Sequence, residues 1–118
     1  MSCTWADVER IGLSLPESSL GEAHEGSPAV FVRSKQFARL RITDDDREVL
    51  QFWVAEPDLV QAYVDDDPTT YGSARGYSPC VVMATLARLG IDLLRELLVE
   101  SWSCRAPARL RAAHADLR

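Results

Sequence analysis

Two short runs of residues in the first half of the chain constrain its fold most strongly. Ala29–Arg33 and Gln36–Ile42 are rich in apolar residues, and only Ser34 and Lys35 separate them. A connection of two residues is the commonest link between neighbouring antiparallel strands. The two runs therefore predict a β-hairpin, around which the other elements must pack.

Side chains of the second run alternate between the two faces of the predicted sheet. One face receives three apolar residues, Ala38, Leu40 and Ile42. The other face receives one aromatic residue and two cations, Phe37, Arg39 and Arg41. Because burying two arginines is unfavourable, we expect the core to lie on the first of these faces.

Local signals place further elements before and after the hairpin. Pro57 suits the first position of a helix, and Leu94, Leu98 and Trp102 are spaced as the apolar stripe of another. The remaining predicted elements, in chain order, are a helix from Thr4 to Leu15, a polar loop over residues 16–27, a strand over Glu48–Val54, short strands at Thr69–Tyr71 and Cys80–Leu86, and a last helical segment over Ala108–Leu117.

The resulting order, α-β-β-β-α-β-β-α-α, is typical of an α+β domain with two layers. We expect an antiparallel or mixed β-sheet with helices packed on one face. A chain of 118 residues is long enough for one core. The sequence therefore predicts a single domain over residues 1–118.

The distribution of charge limits the partners that this chain can recognise. Its formal net charge is -5, and the sequence pI is about 4.9. Residues 1–70 carry 6 basic and 14 acidic side chains, whereas residues 71–118 carry 7 basic and 4 acidic ones. Since the whole molecule repels polyanions at long range, any contact with a polyanion must use a local basic patch.

Cysteine usage and hydropathy indicate a cytoplasmic protein. The three cysteines, Cys3, Cys80 and Cys104, form no C-x-x-C pair, so neither a disulfide framework nor a zinc site is expected. Charged residues interrupt the N-terminal segment, so we do not expect this segment to act as a secretory signal. The longest apolar run, around Cys80–Leu86, is far too short to span a membrane. We expect no cofactor and no membrane association.

Five short motifs occur in the order found in a known family. Each resembles a family pattern: S-L-P after the first helix, H-x-G-x-P-x-F at the first strand, K-x-F-A in the second, R-G-Y before a later strand, and A-P-K-R-L near the end. The corresponding segments here are Leu13–Pro16, His24–Phe31, Lys35–Ala38, Arg75–Tyr77 and Ala106–Leu110. The chain resembles the MmcQ/YjbR-like proteins, which are small bacterial domains described as DNA-binding through a double wing.

The resemblance implies a non-catalytic binding module whose partner is DNA. Cations spaced two apart on a strand project from one face and would follow a phosphate backbone, and an aromatic residue among them would stack on a base. A second turn would supply a contact from the other wing. The candidate nucleic-acid-binding residues are Arg33, Lys35, Phe37, Arg39, Arg41 and Arg75. The alternative for this set is a solvated sheet face whose cations are balanced by carboxylates such as Glu48.

Other readings of the sequence have less support. His24 would serve as a general acid or base, or Cys80 as a nucleophile, only with partners that the sequence does not supply. The aspartate runs at residues 44–46 and 65–67 do not match an EF-hand loop and are expected to be solvated turns. We therefore expect no enzymatic activity and no metal site. The main alternative function is a protein–protein interaction domain that binds no nucleic acid.

Overall fold

The computed structural model describes residues 2–74 and 78–117 and has an α+β fold. Groups of consecutive strands alternate with helices along the chain, and short 3-10 helices lie between some of these elements. The helices are α1 (Trp5–Leu13), α2 (Pro57–Asp66), α3 (Ile91–Arg105) and α4 (Ala108–Ala113). The strands are β1 (Ser18–Glu22), β2 (Pro28–Val32), β3 (Lys35–Ile42), β4 (Glu48–Trp53), β5 (Tyr71–Ser73) and β6 (Val81–Thr85).

The strands form one sheet in the order β1-β2-β3-β4-β6-β5, and every neighbouring pair is antiparallel. The predicted α+β class is confirmed, and the sheet is antiparallel rather than mixed. β2 and β3 form the predicted hairpin, with Arg33 and Ser34 as the turn residues, one position earlier than expected. Arg33 has a φ of 54°, a conformation that the first residue of such a turn requires.

The prediction of a loop over residues 16–27 was wrong, because Ser18–Glu22 forms strand β1. This strand pairs with β2 along its whole length, from Ser18 opposite Val32 to Glu22 opposite Pro28. Its single large apolar residue, Leu20, is 50% exposed. Backbone hydrogen bonds to β2, rather than side-chain burial, therefore hold β1 in the sheet. Apolar alternation cannot reveal such an edge strand.

The helices pack on one face of the sheet, as predicted. Helix residues such as Leu98 and Trp102 share a core with Val30, Ala38 and Phe52 of the sheet. These three strand residues lie opposite one another in register, so they mark a single face. All three tryptophans are buried, and none presents an exposed ring to a partner.

Phe37 departs from strict alternation because β3 bulges at this point. Val30 is opposite Ala38, and the next residue of β2, Phe31, is opposite Gln36, which leaves Phe37 without a cross-strand neighbour. An extra residue in one strand redirects the side chains around it. Phe37 is consequently fully buried in the same core as Ala38. Its predicted place beside Arg39 and Arg41 on the other face was wrong, and it cannot stack on a base.

Within the described residues, no helix combines the length and apolar character needed to cross a membrane.

Candidate nucleic-acid interface

Six residues were predicted to bind nucleic acid, and the structure separates the five of them that it describes. Arg33 and Lys35 lie exposed at the tip of the β2–β3 hairpin, and Arg41 lies exposed farther along β3. Arg39 is only 5% exposed, and Phe37 belongs to the core. Arg75 lies outside the described residues. The hairpin therefore does not present the predicted continuous row of accessible cations.

Arg33 is neutralised by a carboxylate from the chain segment that precedes β1. Its Nε donates to Glu17 Oε1 at 2.8 Å, and its Nη2 donates to Glu17 Oε2 at 3.2 Å. The hydrogen bond from Arg33 lowers the pKa of the Glu17 carboxyl below its ordinary value. Both groups are charged at neutral pH, so Arg33 contributes little net positive potential at the hairpin tip.

Lys35 instead lies beside a cleft between the hairpin tip and the junction of α3 and α4. This cleft, of about 220 Å³, is lined by Val32–Lys35 and by residues 104–107. A second cleft of about 460 Å³ lies on the other side of residues 104 and 105. Its lining residues are Trp53, Val54, Ala55, Ser78, Cys80, Ser103, Cys104, Arg105 and Arg111. We call the surface formed by Lys35, Arg105 and Arg111 the basic end.

Neutral groups hold the two arginines of the basic end in place. Arg105 Nε donates to the backbone carbonyl of Gln36 at 2.9 Å, and the guanidinium carbon lies 4.8 Å from the centre of the Trp53 ring. Arg111 Nη1 donates to the carbonyl of Ser103 at 3.0 Å. Carbonyls and a ring face orient a guanidinium without cancelling its charge. The carbonyl that Arg111 contacts in the described part of the chain therefore leaves the charge of Arg111 uncancelled.

Charge is segregated among the clefts of the molecule. Among the residues that the structure describes, neither cleft of the basic end is lined by a carboxylate. Two other clefts, beside α2 and α3, are lined by acidic residues that include Asp66, Asp92, Glu96 and Glu100. A negatively charged ligand would therefore be attracted to the basic end despite the net charge of the whole chain.

Sequence reasoning did not single out Arg105 or Arg111 as binding residues. The excess of basic residues after residue 70 is the one signal that pointed towards them. They lie seventy or more positions after Lys35. The packing of α3 on β3 and β4 brings Arg105 to the cleft beside the hairpin tip, and Arg111 lines the adjoining cleft.

The candidates for chemistry do not assemble into a catalytic or metal site. The His24 side chain is 81% exposed, and its Nε2 lies 3.4 Å from Glu25 Oε1. Cys80 lines the larger cleft of the basic end, and no hydrogen bond in the described part of the chain joins it to His24. The same part of the chain contains no cluster of three or more residues able to hold a metal ion.

Known proteins resemble this chain in sequence and in fold. A family model named YjbR matches residues 13–104, which include the hairpin, the sheet and most of α3. The chain belongs to the YjbR family. The fold of this YjbR protein is similar to the crystal structure of Deinococcus radiodurans protein DR2400, a DUF419 protein, with a TM-score of 0.73 and 19% sequence identity. The alignment covers 93% of this chain and 86% of that chain. No curated protein sequence matches this chain significantly.

Proposed function

We propose that this YjbR protein is a non-catalytic binding module that contacts nucleic acid, with DNA as the expected form, through its basic end. The observation that carries the proposal is the pair of adjacent clefts at Lys35, Arg105 and Arg111, whose described lining contains no carboxylate. Phosphate groups are recognised mainly by lysine and arginine side chains that position the backbone. Family membership supports a binding role for this fold.

The magnitude of the expected interaction follows from the number of cations. Lys35 and Arg111, each neutralising one phosphate, give a slope of about -2 in a plot of log affinity against log salt. The acidic remainder of the chain opposes binding at long range, so we expect appreciable affinity only at low salt. Contacts of this kind carry no sequence information, which predicts weak dependence on DNA sequence.

A protein partner is the second candidate function. It requires a continuous apolar patch on the surface. The exposed large apolar residues in the described part of the chain belong to five different elements, namely Leu13, Leu20, Ile42, Leu59 and Leu93. This distribution gives the alternative less support than the segregation of charge gives to an anionic ligand.

Fluorescence anisotropy of a labelled DNA duplex, titrated with protein at several salt concentrations, tests the proposal. The informative variant is Lys35→Glu, because Lys35 is exposed at the hairpin tip. The matched control is Arg47→Glu, which makes the same change of charge at an exposed position beyond the opposite end of β3. An eight-residue strand separates the two positions by roughly 25 Å.

We expect wild-type protein and Arg47→Glu to bind with similar affinity, and Lys35→Glu to bind at least several-fold more weakly with a shallower salt slope. Arg111→Glu should weaken binding in the same way, with its fold verified by circular dichroism because Arg111 also bonds to Ser103. Equal losses in Lys35→Glu and Arg47→Glu would show that net charge alone governs binding. Absence of binding by wild-type protein at low salt would refute the proposal.

A further inference from the structure

Arg39 is a buried cation that forms no ion pair with any residue the structure describes. It is 5% exposed. Its Nη2 donates to the His24 carbonyl at 3.0 Å and to Ser27 Oγ at 3.2 Å, and both acceptors are neutral. Its Nε is inaccessible to solvent and has no acceptor among the described residues. Buried guanidinium groups are usually paired with an anion because their desolvation is costly.

The residue directly opposite Arg39 in the sheet also carries a buried nitrogen donor that lacks an acceptor in the described part of the chain. Gln51 on β4 faces Arg39 in the antiparallel ladder and is fully buried. Its Oε1 accepts a hydrogen bond from Arg41 Nη1 at 3.2 Å, which orients the amide. Its Nε2 is left without an acceptor. Opposite residues of a ladder have Cβ atoms about 5 Å apart. Two neighbouring side chains therefore each carry one buried donor, Arg39 Nε and Gln51 Nε2, that has no acceptor among the described residues.

The described residues in register with this pair across the sheet are small or apolar, and none of them is a carboxylate. Arg39 and Gln51 are the centre of a row that crosses the whole sheet on the face opposite the helices. The row consists of Gly21, Ala29, Arg39, Gln51, Met83 and Gly72, one residue from each strand in sheet order. An apolar setting strengthens the attraction between a guanidinium and an anion.

The two ends of the row differ in how they are covered. At β1, the ring of Phe31 lies over Gly21, so that a Cβ added at Gly21 would be 2.8 Å from Phe31 Cε1. At β5, a Cβ added at Gly72 would meet no atom of the described residues within 4 Å. The β5 end of the row is therefore less covered by described atoms than the β1 end.

We infer that Arg39 and Gln51 form a binding site for an oxyanion, which is a carboxylate or phosphate group. One or two ligand oxygens accept hydrogen bonds from Arg39 Nε and Gln51 Nε2, and the charge of the ligand compensates the guanidinium. Arg41 acts as a positioning residue, because its bond to Gln51 Oε1 leaves the amide nitrogen for the ligand. This site is separate from the basic end and does not depend on the proposed function.

The direct test is nuclear magnetic resonance of the full chain, with the side-chain N–H signals of Arg39 and Gln51 followed in proton–nitrogen correlation spectra. Sodium phosphate and sodium acetate are titrated separately, and sodium chloride at equal ionic strength is the control. We expect both signals to shift together and to saturate with phosphate, with acetate or with both, while chloride leaves them unchanged. Shifts identical to those in chloride, or no shifts, would overturn the inference and indicate donors bonded to internal water.

Variants and a second ligand sharpen this test. Arg39→Met and Gln51→Met should each weaken anion binding by about tenfold or more, whereas Arg47→Met should leave it unchanged. Full binding by both folded methionine variants would contradict the inference, and if they fail to fold the wild-type titration still decides. A short DNA strand identifies the source of the oxyanion: shifts with DNA but not with free anions indicate a polymer phosphate, and the reverse pattern indicates a free small molecule.

Discussion

Ser101 on α3 donates a hydrogen bond from its Oγ to the backbone carbonyl of Phe37 on β3, at 2.5 Å. The same oxygen accepts a hydrogen bond from the backbone N–H of Trp53 on β4, at 2.9 Å. Because β3 bulges at Phe37, its ladder with β4 begins only at Ala38. A helix side chain thus completes the pairing that the bulge interrupts, and it fixes α3 against the centre of the sheet.

Replacing Ser101 should therefore be costly. Ser101→Ala leaves a buried carbonyl and a buried N–H without partners, which predicts a loss of about 2 to 4 kcal/mol in the free energy of unfolding. Ser103→Ala is the matched control, because Ser103 is also a buried serine of α3 but its Oγ has no hydrogen-bond partner. Urea denaturation should show little change, or a gain, for Ser103→Ala. Similar losses in the two variants would argue against the bridging role of Ser101.

Two strand glycines at opposite edges of the sheet should respond differently to alanine. Gly72→Ala places a methyl group where no atom of the described residues lies within 4 Å, and it should be neutral or stabilise the fold by up to about 1 kcal/mol. Gly21→Ala places it against the Phe31 ring, which must move. We expect Gly21→Ala to be less stable than Gly72→Ala by about 1 to 2 kcal/mol in urea denaturation. Equal stabilities would mean that Phe31 does not cover the β1 edge.

Removing the carboxylate that pairs with Arg33 should strengthen binding of nucleic acid. Glu17→Gln keeps the size of the side chain but frees Arg33, which then adds a cation beside Lys35. The salt slope of DNA binding should become steeper by about one, and the affinity at low salt should rise several-fold. Asp45→Asn is the control, since it releases Arg47 from a similar exposed pair beyond the other end of β3. A comparable gain in Asp45→Asn would point to net charge instead of local contacts.

Asp67 should make stability depend on pH in the acid range. Hydrogen bonds from the Thr70 and Thr69 hydroxyls, at 2.6 and 2.7 Å, lower the pKa of the Asp67 carboxyl below its ordinary 3.8. A lowered pKa in the folded state means that the ionised form stabilises the fold above the ordinary value and that this contribution is lost as pH falls through the folded-state pKa. Asp67→Asn should therefore be less stable than wild type at neutral pH, and the difference should shrink towards pH 3.

The neighbouring residue provides the control for this measurement. Asp66→Asn changes the same charge in the same run of aspartates, but no hydrogen bond joins Asp66 to Thr69 or Thr70 in the described part of the chain. Urea midpoints measured across the acid range should separate Asp67→Asn, but not Asp66→Asn, from the wild type. If both variants followed the wild type at every pH, the hydrogen bonds of Asp67 would not contribute to stability.

Particular elements show how far sequence reasoning reached. Pro57 begins α2 as predicted, and the Ala38 face of β3 carries the core, because proline geometry and apolar alternation act over a few neighbouring residues. β1 was missed, because a polar edge strand is held by backbone bonds that leave no apolar pattern. Phe37 was placed on the wrong face, because a bulge changes the alternation without a signature in composition.

The candidate sites depended even more on tertiary structure. The sequence by itself determined the α+β class, the hairpin and the excess of positive charge after residue 70. Tertiary structure decided that Glu17 neutralises Arg33, that Lys35 and Arg105 line one cleft, and that Arg39 is buried opposite Gln51. The physical reason is that propensity and periodicity are local properties of the chain, whereas the burial and pairing of a charge depend on residues that only folding brings within a few ångströms.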